Sequence, residues 1–242
     1  MTRPDVRIDR IRGGITNTYL VRSRGAVLID PGDPWRSRAV LAKLRTLGAP
    51  LDEIGMILVS HGHFDHVGGC GRLRRAMAAP IAVHRGDAAW VRDGFVAIPP
   101  GFSRWGRTLA LLTRCMMPLL RRVEGVAPDR VLTDADLPLS DQGVPGRIVH
   151  TPGHTPGSVS LLLDSGDAFV GDLATNGPPF SLRPCLFVGG DDLDQMRDSW
   201  RHLLSLGART IHPGHGWPFP AEALALGRRS PRRGHLEPGG RG

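Results

Sequence analysis

Four side chains able to bind a metal ion fall within six residues of this chain, His61-x-His63-x-Asp65-His66, directly after the apolar run Met56 to Val59. Neutral imidazole and carboxylate suit zinc, iron and similar borderline cations, and metal–nitrogen distances of about 2.0–2.1 Å require a rigid element to aim them. A lone histidine is more often an ordinary core or surface residue, but three with an aspartate at this density are poorly accounted for that way. Three more candidates follow: His154 in Thr151-Pro152-Gly153-His154-Thr155-Pro156-Gly157, Asp172 after Val170-Gly171, and His215 between Gly214 and Gly216. Each comes after a strand-like segment. Two cations about 3.5–4 Å apart can share one water, lower its pKa towards neutrality and polarise a carbonyl or phosphoryl oxygen. Asp65 is then the candidate catalytic residue, placed to orient the hydroxide and pass on its proton. No serine or cysteine nucleophile is needed.

The elements that must position these groups are legible as short β-rich runs. Thr16 to Val21 and Ala26 to Ile29, separated by Arg-Ser-Arg-Gly, predict a hairpin. Asp30-Pro31-Gly32-Asp33-Pro34 reads as a turn into a helix carrying Ala39, Val40, Leu44 and Leu47, which Gly48 stops. Met56 to Val59 leads into the histidine cluster and then a helix-compatible stretch through Met77. Further strands are expected at Pro80 to Val83, Arg147 to His150, Val159 to Leu163, Ala168 to Val170 and near Thr210-Ile211, with a helix from about Leu193 to Leu206. Strands and helices alternate irregularly in two β-rich halves, which fits two sheets with helices packed outside them.

With 242 residues, 40% hydrophobic and 22% charged, the chain suits one globular domain, here 1–226, and not a disordered segment. Its amino terminus has no signal-peptide core and no stretch reaches the roughly 18 apolar residues of a membrane span, so a cytoplasmic location is expected. Cys70, Cys115 and Cys185 are widely spaced and form no CxxC pair, which disfavours disulfides and a thiolate zinc site. The net charge is +8, but the Gly/Pro-rich tail 227–242 holds Arg228, Arg229, Arg232, Arg233 and Arg241 against Glu237, so half the excess lies there. The rest is spread out and no nucleic-acid-binding motif occurs, so a nucleic-acid partner is not expected.

The HxHxDH motif, the TPGHTPGS histidine, the GD aspartate and the GHG histidine, in that order, resemble the metallo-β-lactamase superfamily from the TNTYLV…LIDPG opening to His215. The resemblance implies an α+β fold, an αββα sandwich of two mixed β-sheets flanked by helices, with the site at one edge between the sheets. It implies that His61, His63 and His154 hold one metal, that Asp65, His66 and His215 hold the other, and that Asp172 bridges them. Two Zn2+ per chain are implied, with iron or manganese as alternatives. The bridging aspartate is similar to the glyoxalase II, lactonase and ribonuclease Z branches; a zinc β-lactamase of the commonest type would carry cysteine at that place. The implied activity is that of a dinuclear metal-dependent hydrolase acting by a metal-bound hydroxide on an ester, thioester or lactone bond. The alternatives are an oxidoreductase like the mononuclear iron persulfide dioxygenases and a non-catalytic metal-binding member, whose mark would be a broken ligand set.

The substrate is less legible. Only 27 residues follow His215, too few for the helical glutathione-binding domain of glyoxalase II, and Tyr19 is the sole tyrosine, whereas lactonases of this superfamily usually offer one soon after the bridging aspartate. Residues 93–128 read as a lid-like insertion, rich in leucine and methionine, with Pro118 interrupting any helix; core packing or a homodimer interface is the competing reading. Its arginines, and Arg183 in the loop after Asp172, are candidate contacts for an anionic substrate, so a small acyl-bearing or anionic molecule is the expected partner. His84, His150 and His212 are expected mainly in structural roles, and His202 and His235 in solvent.

Overall fold

A computed structural model describes residues 5–12, 14–95, 98–120 and 123–224, without the side chains of 117–120. Arg121, Arg122 and the basic tail 227–242 lie outside the described residues. The first sheet runs in the order β1 (Arg7–Arg12), β2 (Asn17–Arg22), β3 (Ala26–Ile29), β4 (Ile54–Leu58), β5 (Ile81–His84), β6 (Arg130–Leu132). Its β1–β3 pairs are antiparallel and its β3–β6 pairs parallel. The connections carry α1 (Ser37–Thr46), α2 (Phe64–Val67), α3 (Cys70–Ala76), α4 (Ala88–Asp93) and α5 (Arg104–Leu120). The second half contains β7 (Leu137–Pro138), β8 (Gly146–His150), β9 (Val159–Leu163), β10 (Asp167–Gly171), the small β11 (Ala174–Thr175) and β12 (Cys185–Leu186) pair, α6 (Leu193–Ser205), β13 (Thr210–Pro213) and β14 (Phe219–Pro220). Its six-stranded sheet has the order β14-β13-β10-β9-β8-β7, with β10 and β13 parallel and the other pairs antiparallel.

Strand alternation sorts the apolar residues into three layers. Tyr19, Val21, Val27, Ile29, Met56 and Leu58 face Leu161, Leu163 and Phe169 of the other sheet in one buried cluster. The intervening residues Leu20, Leu28, Ile57, Ile81 and Val83 point the other way and pack with Val40, Leu44 and Leu73 of α1 and α3. On the far side Leu162, Ala168 and Val170 pack with Met196, Trp200 and Leu203 of α6. The result is the αββα sandwich.

Three local outcomes differ from what the sequence leads one to expect. β1 is an additional edge strand of largely polar residues, formed by its ladder with β2. The stretch after the histidines is broken at Gly68 and Gly69, where the Gly69 N–H turns to the Gly32 carbonyl, 2.9 Å. Pro118 does not interrupt α5, which runs through it to Leu120 despite the helix bond that a proline N cannot make. No helix among the described residues is long and apolar enough to cross a membrane.

Trp200, fully buried between α6 and the second sheet, fastens the helix that packs behind the His154 loop. We predict that Trp200→Ala lowers unfolding free energy in urea by about 3–5 kcal/mol; a loss within about 0.5 kcal/mol, the range of ordinary surface changes, would contradict this packing.

Candidate metal centre

Strand direction brings the candidates together. β8 and β10 both pair antiparallel with β9, and β13 is parallel to β10, so β8, β10 and β13 run the same way and end at one edge of the sandwich. His154 lies beyond the end of β8, Asp172 follows β10 and His215 follows β13, while His61 to His66 follow β4 of the facing sheet. A clasp between the sheets aligns the two halves: the Tyr19 hydroxyl donates to the Pro213 carbonyl, 2.9 Å, and the Asn17 N–H to the Gly214 carbonyl, 2.7 Å. Gly153 takes φ +124°, and a Cβ there would lie 2.4 Å from the Met196 nitrogen, so only glycine lets α6 pack this closely behind the His154 loop.

All seven predicted residues are buried and converge. His61 Nε2 and His154 Nε2 each lie 3.0 Å from His63 Nδ1. His215 Nε2 lies 3.3 Å from both Asp65 Oδ2 and Asp172 Oδ2, and His66 Nε2 lies 3.4 Å from Asp172 Oδ1. Asp172 Oδ2 is also 3.6 Å from His154 Nε2, so its carboxylate stands between two groups of ligating atoms. Each of the triads His61–His63–His154 and Asp65–His66–His215 could hold one ion.

Four imidazoles are oriented from behind. His61 Nδ1 donates to Ser60 Oγ at 3.0 Å, His66 Nδ1 to Asp30 Oδ2 at 2.8 Å, His154 Nδ1 to the Gly189 carbonyl at 2.9 Å and His215 Nδ1 to the Ile15 carbonyl at 2.8 Å. Each turns Nε2 inward, and such outer partners fix both tautomer and ring direction at metal sites. The inward arrangement fits cations better than hydrogen bonds. With Nδ1–H committed outward, neutral His61 and His154 both offer lone pairs to His63 Nδ1, which can donate to only one of them. His66 Nε2 and Asp172 Oδ1 are buried and face each other at 3.4 Å without a well-formed hydrogen bond, an arrangement that a bound cation would complete.

The electrostatics divide the cluster in two. Burial, reinforced by the neighbouring imidazoles, pushes His61 well down and His63 down to about 3; burial also lowers His154. Burial would lower His66 and His215 as well, but Asp30, Asp172 and Asp65 more than offset it at His66, and Asp172 and Asp65 do so at His215, raised to about 10. Burial raises both carboxylates of the cluster, but His66 and His215 overcome it and hold Asp65 and Asp172 below the usual carboxylate range.

Two supporting carboxylates had no individual signal in the sequence. Asp30, in the left-handed region at φ +52°, accepts from Ser60 N–H and Ser60 Oγ, both at 2.7 Å, as well as from His66. Asp87 accepts from Gly62 N–H at 2.8 Å, Gly157 N–H at 2.9 Å and Thr155 Oγ1 at 2.7 Å, tying together the two loops that carry His61, His63 and His154. Aspartates in turns are common; the donors that give these two their roles come from distant parts of the chain.

The remaining candidates lie apart from the centre. Arg183 is exposed and does not line the cavity that opens on the cluster. His84 stacks on His150, ring centroids 4.0 Å apart, with both near Asp134, and His212 bonds to Asp167 at 2.8 Å. These contacts do not touch the seven converging residues. His202 is exposed, and His235 lies outside the described residues. α5 contributes Gly106, Leu109, Ala110 and Thr113 to the cavity wall, so part of the 93–128 segment borders the site. The three cysteines are free thiols.

This fold and this arrangement of histidines and aspartates are those of a known class of metalloproteins. The chain belongs to the metallo-beta-lactamase superfamily, whose family model matches residues 11–215. It is 32% identical to a hydroxyacylglutathione hydrolase of Anaeromyxobacter dehalogenans, over 90% of this chain and 68% of that protein. It is 24% identical to the probable metallo-hydrolase YflN of Bacillus subtilis, over 85% and 82% of the two chains. Among solved structures, TTHA1623 in a di-iron-bound form is similar at TM-score 0.63 and 28% identity, over 92% of this chain and 96% of that one. The BLEG-1 B3 metallo-beta-lactamase, at TM-score 0.66 and 23% identity over 90% and 95%, shares the fold. The family and the His/Asp clusters together support a metal-dependent hydrolase of the glyoxalase II-like branch.

The contacts behind the imidazoles can be tested one group at a time. Asp30→Asn tolerates the left-handed backbone but loses the charge that faces His66; metal affinity, read by competition with a chelator, should fall about 10–100-fold, and unchanged affinity would remove Asp30 from the support of the site. The carboxylates around His66 and His215 favour their protonated forms in metal-free protein, while burial favours neutral His61, His63 and His154. Loading both sites should therefore release about two protons per chain, measured by calorimetry in buffers of different ionisation enthalpy, and no release would contradict the assigned charge states.

Proposed function

We propose that the protein is a dinuclear metal-dependent hydrolase of ester, thioester or lactone bonds, in which His61, His63 and His154 hold one divalent cation, Asp65, His66 and His215 the other, and Asp172 bridges them. The carrying observation is the convergence of seven buried side chains, among which the inward nitrogens of His61, His63 and His154 face one another with too few protons to bond, while those of His66 and His215 face Asp65 and Asp172. A pair of bound zinc or iron ions supplies a water of lowered pKa and a Lewis acid for the oxygen that gains charge. The di-iron form of TTHA1623 makes iron as relevant as zinc.

The chain's own groups supply orientation and proton transfer. Thr16 Oγ1 donates to Asp65 Oδ2 at 2.9 Å and fixes the plane of that carboxylate. Asp65 would accept the proton of the attacking water and pass it to the leaving group. Residues of α5 and Phe187 line the cavity in front of the cluster, where they would partly shield a bound carbonyl from water and so strengthen charge interactions with it. The relation to a hydroxyacylglutathione hydrolase supports a thioester as the first substrate to test.

Asp65→Asn should keep the fold, seen by an unchanged circular dichroism spectrum, and lower kcat on a thioester by about 10²–10⁴-fold; turnover equal to wild type would exclude Asp65 from proton transfer.

A further inference from the structure

The cavity that opens on the metal-binding cluster has an unusual chemical lining. Its ionisable members are His63, Asp65, His154, Asp172 and His215, all of the cluster itself. Beyond them the described wall is apolar: Leu109 and Ala110 of α5 on one side, Phe180, Phe187 and Val188 on the other. Thr113 is the one additional side chain there with a hydrogen-bonding group, and its hydroxyl is already donated to the Leu109 carbonyl, 2.9 Å. The amino-terminal end of α5 is fastened against the same wall. Phe102 N–H donates to the Val188 carbonyl at 3.0 Å, Trp105 Nε1 to the Pro179 carbonyl at 2.9 Å, and a Cβ on Gly106 would fall 2.3 Å from the Val188 carbonyl oxygen. The helix is thereby held as a roof over the cluster.

We infer that this cavity receives an uncharged apolar chain carried directly on the scissile ester or thioester, and that α5 with Phe180 and Phe187 sets the chain-length preference. The inference rests on the hydrolase function proposed for the same site and narrows its substrate class. A carboxylate, phosphate or peptide group placed there would lose its water with no described donor to replace it, a cost of about 1–3 kcal/mol for each neutral polar group and more for a charge. An alkyl or aryl group loses nothing and gains the contact. The described arginines of the segment, Arg104, Arg107 and Arg114, are absent from the lining.

Two substrate series locate the chain. In one, a common thiol carries acyl groups from acetyl to octanoyl; in the other, acetate is esterified to alcohols from ethanol to octanol. kcat/KM of the metal-loaded wild-type protein should rise about fourfold for each methylene that enters the cavity, in one of the two series. That series shows whether the acyl group or the leaving group lies under α5. Ala110→Phe, a filled position on the partly exposed helix, should cut the octanoyl-to-acetyl ratio, or its mirror in the alcohol series, by about tenfold or more. A readout independent of turnover is calorimetric binding of octanoate and octanol to chelator-treated protein, which Ala110→Phe should weaken by a similar factor. Hydrolysis that is flat or falling with chain length in both series, with equal binding by wild type and variant, overturns the inference and leaves the hydrolase intact. No hydrolysis in either series, with octanol or octanoate still bound more tightly by wild type, keeps the apolar site and overturns the ester and thioester hydrolase function on which the inference rests.

Discussion

The structure turns on the need to hold seven buried polar side chains so that their ligating atoms face one another. Left to themselves, imidazoles and carboxylates in a low-dielectric interior would rotate to hydrogen-bond or retreat to water. Here the outward nitrogens of His61, His66, His154 and His215 are each committed to an oxygen behind them. The inward atoms have nowhere else to point. Those oxygens come from Ser60, Asp30, Gly189 and Ile15, so the first sheet, the loop before α6 and the chain leading into β2 all contribute to aiming one cluster. The parallel sense of β8, β10 and β13, and the clasp of Asn17 and Tyr19 on the 213–214 segment, set the distances over which these bonds can form.

The two halves of the centre differ electrically because of a small difference in composition. His61, His63 and His154 are surrounded mainly by one another, and burial leaves them neutral. His66 and His215 stand among Asp30, Asp65 and Asp172 and carry protons until something replaces them. A cation entering the carboxylate-rich half must displace protons that the three-histidine half is not disposed to hold. This gradient places Asp65 and Asp172, both ionised, on the side where a proton has to be taken from water and moved.

Much of this was legible in the sequence, for a physical reason that also marks the limit. Strands buried on both faces, such as Ala26–Ile29 and Val159–Leu163, advertise themselves as short apolar runs, and histidines packed densely after such a run are aimed by a rigid strand end at a common point, which suits a cation. The edge strand Arg7–Arg12 was not legible, since its residues are mostly polar and its conformation comes from the neighbouring ladder. Asp30 and Asp87 were not recognised as supports because the partners that define them sit 25 to 70 residues away. Arg183 is attractive as a charge near Asp172 in sequence, yet the loop turns its side chain to solvent. The apolar roof was visible only as composition; its inward face became definable when Gly106, Leu109, Ala110 and Thr113 proved to share one side of α5.

The central claim is that the seven residues form one centre for two cations. An anomalous difference map from crystals grown with zinc or iron(II), recorded on both sides of the metal absorption edge, tests it most directly. The account predicts two peaks about 3.5–4 Å apart, one within coordination distance of His61, His63 and His154, the other of Asp65, His66 and His215, with Asp172 between them. A single peak at the three histidines under saturating metal, or peaks away from these side chains, would contradict it.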